Sequence, residues 1–310
     1  MNLFLPLLIN IFPLYIIIGL GYLGARYLNV QRQTLANVAL YFCVPVVIFG
    51  FVAKLELRPE YILIPFISFS LAVIIGLSFL AIGRKVYGDE RANLLSMCTA
   101  MGNTGYFGLP VALLLFDARW IGLYMFMLVG ITAFEATFGY YIAARGRYTV
   151  RESLIKLAKF PTLYATLAGL AANVIMTETG TQLPDLFMTY WIHFKGAYVV
   201  LGMMIIGAAI GQSGRLEIAP KFLALVFAGK CVVWPLAVYV LATLDARYLH
   251  FFEPVIYHMF YLLAITPPAA NIAAFAAQMD LRPAKAATTI LIGTVLALVY
   301  IPLFMAWVGL

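Results

Sequence analysis

Ten apolar runs of about 20 residues follow one another along this chain, separated by short polar links. A helix of that length crosses the roughly 30 Å hydrocarbon core of a bilayer. The composition agrees, because 64% of the 310 residues are hydrophobic and 11% are charged, which is too few to cover a soluble surface. The runs lie near residues 3–25, 34–52, 61–83, 91–117, 119–143, 160–177, 186–212, 218–244, 250–277 and 284–308. The sequence therefore predicts an all-α integral membrane protein with ten transmembrane helices.

Lys and Arg are unevenly distributed between the links. Most of the 20 lie in or beside links that follow odd-numbered spans, and few lie in the even-numbered links. Cytoplasmic loops are enriched in these residues, so the odd links are predicted to be cytoplasmic and both termini to lie outside. The expected location is the inner or plasma membrane, with lipid as a partner. The net charge of +7 then reflects topology, and no nucleic acid is expected to bind.

Cysteine, histidine and glycine offer no clear catalytic or metal-binding pattern. Cys43, Cys98 and Cys231 are far apart in apolar runs, and the three His show no ligand spacing. The segment GLGYLG has the spacing of a dinucleotide fingerprint, but it lies inside an apolar run instead of after a strand. Its glycines, like Gly207 and Gly211, are predicted to allow close helix packing. We therefore expect no enzyme activity, no cofactor and no metal.

Two of the predicted spans contain residues that interrupt a helix. The fourth contains GNTGYFGLP at 102–110, and the ninth contains ITPPAAN at 265–271. Backbone groups freed at membrane depth are tolerated only where they are buried in protein or face a wet cavity. The predicted helix-break residues are Gly102, Pro110, Pro267 and Pro268, with Pro45 as a further kink in the second span.

The two breaks occupy matching places if the chain divides into two sets of five spans, because spans 4 and 9 are each the fourth of a set. Broken helices that recur in this way are typical of inverted-repeat transporters. We therefore predict a first repeat at 1–145, a cytoplasmic link at 146–159 and an inverted second repeat at 160–310. The substrate site should lie where the two breaks cross.

The predicted crossing offers hydrogen-bond donors and positive charge to an anion. A broken helix exposes unpaired N–H groups and a partial positive charge at its N-terminal end. The residues predicted to bind the substrate are Asn103, Thr104, Gly105, Thr266, Asn271 and Lys230. The alternative is that the Asn and Thr side chains satisfy backbone groups freed by the breaks, and that Lys230 snorkels toward an interface.

Two ionisable residues inside spans are candidates for proton or ion coupling. Such residues are costly at membrane depth and are usually functional. Glu135, in the fifth span, is predicted either to carry a proton or to fix helix packing as a neutral or paired carboxyl. His258, in the ninth span, either titrates near neutral pH or fills a packing position.

Three motifs of this chain resemble those of the auxin efflux carrier family: GNTGYFGLP at 102–110, NVALYFCVPVVIF at 37–49 and PPAANIAAFAAQ at 267–278. The resemblance implies the fold of bile-acid sodium symporters, with a scaffold domain of spans 1, 2, 6 and 7. Spans 3–5 and 8–10 would then form a transport domain. Plant members have Pro in place of Gly102 and often a long link between the halves. We therefore expect the compact bacterial type, whose members include malonate and malate carriers.

The sequence thus predicts a secondary carrier of a small organic anion, such as malonate, malate or an auxin-like acid. It would work by alternating access, coupled to protons or to the membrane potential. A sodium-coupled symporter of the bile-acid type stays open, because backbone carbonyls at the crossing could coordinate sodium. A membrane sensor built on a carrier fold is the alternative from another class. The choice between a monomer and a homodimer also stays open.

Overall fold

The computed structural model describes residues 4–144, 155, 158, 160–212 and 216–309. These residues form helices and connecting loops, and no strand is found among them. We number the helices α1 Phe4–Tyr27, α2 Arg32–Ala53, α3 Pro59–Val86, α4 Arg91–Ala100, α5 Thr104–Leu115, α6 Ala118–Ala143, α7 Pro161–Thr179, α8 Asp185–Gly211, α9 Pro220–Leu249, α10 Pro254–Ile265, α11 Asn271–Gln278 and α12 Pro283–Trp307.

Seven of these helices are long and apolar enough to cross a membrane, namely α1, α2, α3, α6, α8, α9 and α12. The other predicted spans correspond to α7 and to two interrupted pairs, α4–α5 and α10–α11. The all-α, multi-pass class is confirmed, whereas the total of ten transmembrane helices and the inverted repeat stay predictions. Apart from residues 155 and 158, the predicted link 146–159 lies outside the described residues, as do both chain termini.

Helices α1 and α8 are in backbone contact through glycines. A Cβ atom on Gly21 would overlap the backbone of Met204, and one on Gly207 would overlap the backbone of Ile18. A Cβ on Gly211 would likewise lie 2.9 Å from a carbonyl oxygen of α1. Small residues that let helix backbones approach are a common device in membranes. The predicted packing role is confirmed for Gly21, Gly207 and Gly211, which join the first predicted span to the seventh, but it is wrong for Gly19, where a Cβ atom would meet nothing within 4 Å.

Helix α2 packs against α7 and α8 through polar side chains that reach its carbonyl groups. Asn173 of α7 donates from Nδ2 to three carbonyls around the end of α2, the shortest bond being 2.6 Å to Leu55. Trp191 of α8 donates from Nε1 to the carbonyl of Val47 at 3.3 Å. Helices α1, α2, α7 and α8 are therefore one packed group, which has the composition that the family resemblance implies for a scaffold.

A second group forms around α3, α4 and α9. The hydroxyl of Ser96 on α4 donates to the carbonyl of Gly76 on α3 at 2.6 Å. Trp234 of α9 donates from Nε1 to the carbonyl of Thr99 on α4 at 2.8 Å. This second group is formed by the spans that the resemblance assigns to a transport domain.

Ion pairs join links of the second group at one end. Arg282, before α12, lies 2.7 Å from Glu90, before α4, and this contact holds the pKa of the Glu90 carboxyl below its usual range. Lys285 lies 2.9 Å from Glu217. The Arg282–Glu90 pair therefore connects the two halves of the chain, whereas the Lys285–Glu217 pair lies within the second half.

Wide π-helical turns recur just before prolines inside the helices. Three such turns each end two residues before a proline: Ala39–Cys43 before Pro45, Thr104–Gly108 before Pro110 and Gly229–Val233 before Pro235. A proline inside a helix removes one N–H donor and its ring crowds the carbonyl four residues earlier. A wider turn relieves that crowding, and such turns are frequent at functional sites. A further turn of this kind, Glu135–Gly139, precedes no proline.

Candidate functional site

The two predicted breaks meet, and they pair with each other through their backbones. Residues 101–103 interrupt the chain between α4 and α5, and residues 266–270 interrupt it between α10 and α11. The N–H of Asn103 donates to the carbonyl of Pro267 at 2.7 Å, and the N–H of Ala269 donates to the carbonyl of Met101 at 2.9 Å. Each break therefore satisfies backbone groups that the other has freed, as burial at membrane depth requires.

Gly102 lies at the centre of this crossing, where there is no room for a side chain. A Cβ atom there would overlap Oγ1 of Thr266 and would lie 2.9 Å from Nζ of Lys230. The glycine lets the second break and the Lys230 ammonium come within contact distance of the first break. This close approach is the reason that a glycine is needed at position 102.

A cavity of about 300 Å³ lies beside the crossing, between the two packed groups of helices. Its wall is formed by one side of α2, by both breaks, by α6 and by single residues of α8 and of the start of α7. Most of the wall is apolar. Its polar members among the described residues are Arg32, Gln33, Asn103, Thr104, Tyr106, Thr132, Glu135, Thr162, Tyr198 and Asn271.

Asn103 places a buried amide in this wall. The residue is 3% exposed, and its Nδ2 atom has no hydrogen-bond partner among the described residues. An unmet buried donor of this kind costs about 1–3 kcal/mol. Native structures seldom retain one without a functional reason or a bound group. An acceptor atom of a molecule in the cavity would satisfy it.

Glu135 and Asn271 are bonded to each other across the cavity wall. Asn271 donates from Nδ2 to Oε2 of Glu135 at 3.0 Å. Glu135 begins the π-helical turn of α6, and Asn271 is the first residue of α11. The sequence analysis treated these residues separately, one as a coupling candidate and one as a substrate contact. Their bond makes them one unit that joins α6 to the second break.

Arg32 is a cavity residue that the sequence analysis did not select. Its Nη1 donates to the carbonyl of Ala270 in the second break at 3.1 Å. The sequence showed it only as a basic residue in the first odd link, where it contributed to the topology prediction. Arg32 and Ala270 are 238 positions apart in the sequence, so no local pattern indicated that Arg32 lies beside the second break.

The remaining predicted substrate contacts lie at different depths around the crossing. Thr104 and Gly105 line the cavity, and Gly105 faces the Tyr198 hydroxyl, which a Cβ atom would approach to 3.3 Å. Thr266 is fully buried, and its hydroxyl donates to the carbonyl of Leu263 at 2.8 Å. Lys230 is 1% exposed and lies behind Gly102, outside the cavity wall. Their roles in binding stay predictions.

The helix-break prolines lie at the interruptions, whereas His258 lies elsewhere. Pro267 and Pro268 form the second break, Pro110 follows the first one within α5, and Pro45 lies in the helix that lines the cavity. Nε2 of His258 is 3.3 Å from the carbonyl of Val308, near the end of α12, and the residue is not part of the cavity wall. Its predicted coupling role therefore gains no geometric support at this site, and it stays a prediction.

The described residues hold no group of three His, Cys, Asp or Glu side chains that could bind a metal ion. Their three cysteines are free thiols, of which Cys43 and Cys98 are buried and Cys231 is half-buried. The polar groups at the crossing are therefore hydrogen-bond donors, one carboxyl and two basic side chains. This set is suited to binding an anion and moving a proton.

The first part of the chain is similar to a known family of membrane proteins. Residues 6–153 match the family described as membrane transport protein. The matched range contains the first break, α2 and Glu135, which are the parts of the site contributed by the first half. The match confirms the resemblance to a family of membrane transporters that the motifs indicated.

Similar proteins extend over the second half as well. The chain is 25% identical to a Rhizobium meliloti protein named "Putative malonate transporter" over 305 residues, which is 93% of this chain and 91% of that protein. It is 25% identical to an uncharacterized transporter of Methanothermobacter thermautotrophicus over 94% of this chain and 92% of that protein. An uncharacterized transporter of Methanocaldococcus jannaschii is also 25% identical, over 58% of this chain and 60% of that protein.

Proposed function

We propose that this multi-pass membrane protein, which is similar to membrane transporters, is a secondary carrier of a small organic anion that works by alternating access. The main observation in support is the buried amide of Asn103, which has no hydrogen-bond partner among the described residues and lies in a cavity beside two crossed helix breaks. Substrate sites of inverted-repeat transporters lie at such breaks near the middle of the membrane.

The proposed substrate is a carboxylate. The Asn103 amide is a donor, Thr104 lines the same wall, and the Lys230 amino group lies behind Gly102. Hydrogen bonds to a charged acceptor are the strong ones, so a carboxylate gains more from these donors than a neutral solute does. The malonate transport named for one relative is consistent with this chemistry, as is malate; an auxin-like acid would use the same donors through its one carboxylate.

Alternating access would follow from the two packed groups of helices. The cavity lies between them, with α2 and α8 on one side and α6 and both breaks on the other. If the second group moved against the first, the crossing would carry its bound anion from one side of the membrane to the other. The glycine contacts within the first group and the breaks within the second would then stay intact during transport.

Coupling to a proton is the energy source that the Glu135–Asn271 pair supports. While Glu135 is ionised, it occupies the Asn271 donor and places a negative charge in the wall of an anion site. Protonation of Glu135 removes that charge, which would make anion binding more favourable. Proton and anion would therefore bind together and cross together. The bile-acid-type symporter would instead need sodium at the carbonyls of Met101 and Pro267, which accept hydrogen bonds from the opposite break.

The test is counterflow into proteoliposomes that contain the purified protein. Malonate, malate, indole-acetate and taurocholate would be compared, with and without sodium and with and without an inward proton gradient. The proposal expects uptake of a small carboxylate, stimulated by the proton gradient and indifferent to sodium. A requirement for sodium would establish the symporter alternative. Specific binding without counterflow of any carboxylate would favour the sensor alternative.

A further inference from the structure

Arg32 and Glu135 are the charged side chains of the cavity wall among the residues that the structure describes. Arg32 begins α2 in the first group of helices and is half-buried. It belongs to none of the ion pairs found between described residues. Its guanidinium therefore lines the cavity without a carboxylate partner in the described part of the chain.

Among the described residues, Arg32 makes one side-chain hydrogen bond, which leaves most of its donors available. Nη1 donates to the carbonyl of Ala270, whereas a guanidinium has five N–H groups in a rigid fork. Such a fork matches both oxygens of a carboxylate. The bond to Ala270 positions the fork beside the second break, because Ala270 lies between the crossing residue Ala269 and Asn271.

The cavity thus contains two separate groups that can bind carboxylate oxygens. The Asn103 amide belongs to the first break, and the Arg32 guanidinium lies against the second break. A monocarboxylate offers one group to this pair, whereas a dicarboxylate offers a separate carboxylate to each.

The charge of Arg32 favours the same class of substrate. A guanidinium stays ionised, so Arg32 places a positive charge in the cavity wall, and Glu135 adds a negative charge there only while it is ionised. A second carboxylate on the substrate would balance the Arg32 charge at membrane depth, where unpaired charge is costly.

We infer that Arg32 is the specificity-determining residue of this site and binds the second carboxylate of a dicarboxylate substrate. The inference rests on the proposed carrier function. It assigns Asn103 to the carboxylate that every substrate has, and Arg32 to the one that separates dicarboxylates from monocarboxylates. Arg32 would also move with α2, so the two ends of the substrate would contact different groups of helices.

The experiment compares malonate with its monomethyl ester, which has nearly the same shape and one charge less. Binding of both is measured on wild type, Arg32→Gln, Arg32→Lys and Asn103→Ala. The control is Arg26→Gln, which removes an exposed cation at the end of α1 that does not line the cavity. Arg32→Gln should weaken malonate about ten- to a hundredfold and the ester by less than about threefold. Arg32→Lys should keep part of the preference, and Arg26→Gln should change neither ligand.

Equal weakening of the two ligands by Arg32→Gln, or no weakening of malonate, would overturn the role of Arg32. If Asn103→Ala still weakened the binding of malonate and of the ester in that case, the proposed carrier function would be retained without a role for Arg32. No binding of either ligand by wild type would overturn the inference, and counterflow with malate and indole-acetate would then decide the proposed carrier function. A second measurement tests Arg32 without any substitution. Wild-type protein is treated with phenylglyoxal, which modifies arginine, and the peptide that contains Arg32 is analysed by mass spectrometry. Malonate should protect Arg32 from modification and the ester should not, and equal protection would contradict the inference.

Discussion

The first break has a polar side chain without a partner among the described residues, whereas the polar side chains of the second break are hydrogen-bonded within the protein. In the first, the Asn103 amide is buried beside the cavity without a partner in the described part of the chain. In the second, Thr266 bonds to its own helix and Asn271 bonds to Glu135. The first break relies on glycine, which tolerates close approach, and the second on two prolines, which restrict the backbone. We therefore propose different roles for these similar interruptions: the first would bind the substrate, and the second would hold the crossing together and couple it to a proton.

The largest effect is expected for Gly102→Ala, which would break the contact between the two breaks. Its Cβ atom would overlap Thr266 and approach Lys230 to 2.9 Å, so the crossing must shift. We expect loss of counterflow and a lower free energy of unfolding, by about 1–3 kcal/mol, measured by thermal unfolding in detergent.

Gly19→Ala is the matched control, because a Cβ atom there meets nothing within 4 Å. This variant should transport and unfold like wild type. If Gly102→Ala did the same, the close approach at the crossing would be unnecessary for either property.

The second-largest effect is expected for Glu135→Gln, which tests the proposed role of the Glu135–Asn271 pair in proton coupling. Glu135→Gln keeps an oxygen that can accept from Asn271 but removes the titratable group. Uptake driven by a proton gradient should be abolished, and substrate exchange without a gradient should persist. Glu178→Gln, an exposed change at the end of α7, serves as the control and should leave both activities intact.

Equal loss of exchange and gradient-driven uptake in Glu135→Gln would assign the carboxyl to helix packing. Retention of both activities would remove the residue from the coupling mechanism. Either result would also weaken the distinction between a binding break and a coupling break.

Asn103→Ala tests the binding role of the first break. Loss of a hydrogen bond to a charged group should raise the dissociation constant about ten- to a hundredfold. The melting temperature without substrate should not fall, because the variant removes an unmet donor. Isothermal titration and thermal unfolding measure the two quantities.

Asn173→Ala is the opposite control for the same substitution. Its amide is bonded to carbonyls at the end of α2, far from the crossing, so its loss should lower stability and leave affinity unchanged. If Asn103→Ala behaved like Asn173→Ala, the first-break amide would be a structural group and the substrate would bind elsewhere.

The smallest effect on affinity is expected for Asn271→Ala. Its amide already donates to Glu135, so the dissociation constant should change by about threefold or less, below the effect of a lost charged bond. Removal of this donor destabilises the ionised form of Glu135, so the pH dependence of uptake should shift toward higher pH. An affinity loss as large as that of Asn103→Ala would show that the two breaks bind substrate alike.

Local patterns were enough to predict the class of fold and the position of both breaks. Apolar runs near 20 residues predicted membrane helices, and Gly102, Pro267 and Pro268 marked the interruptions that the structure contains. The cavity wall contains Asn103, Thr104, Gly105, Glu135 and Asn271, all of which were selected from sequence.

Other parts of the site were not visible at that level. Arg32 looked like a topology signal because basic residues are common in odd links. The π-helical turns also escaped notice, although a proline two residues beyond each of three turns was present in the sequence.

The sequence by itself determined that this protein lies in a membrane, that it is helical and where its helices are interrupted. Hydropathy and helix-breaking residues act over one or two helical turns, so these features can be read locally. Only the tertiary structure decided which polar groups have partners. The Asn271–Glu135 bond spans 136 positions and the Arg32–Ala270 bond spans 238. Such pairs form because packing brings distant backbones together in a medium that offers no water to unpaired groups, so each polar group bonds to whatever the fold places beside it. Whether Asn103 or Asn271 keeps a donor for the cavity is settled by that placement.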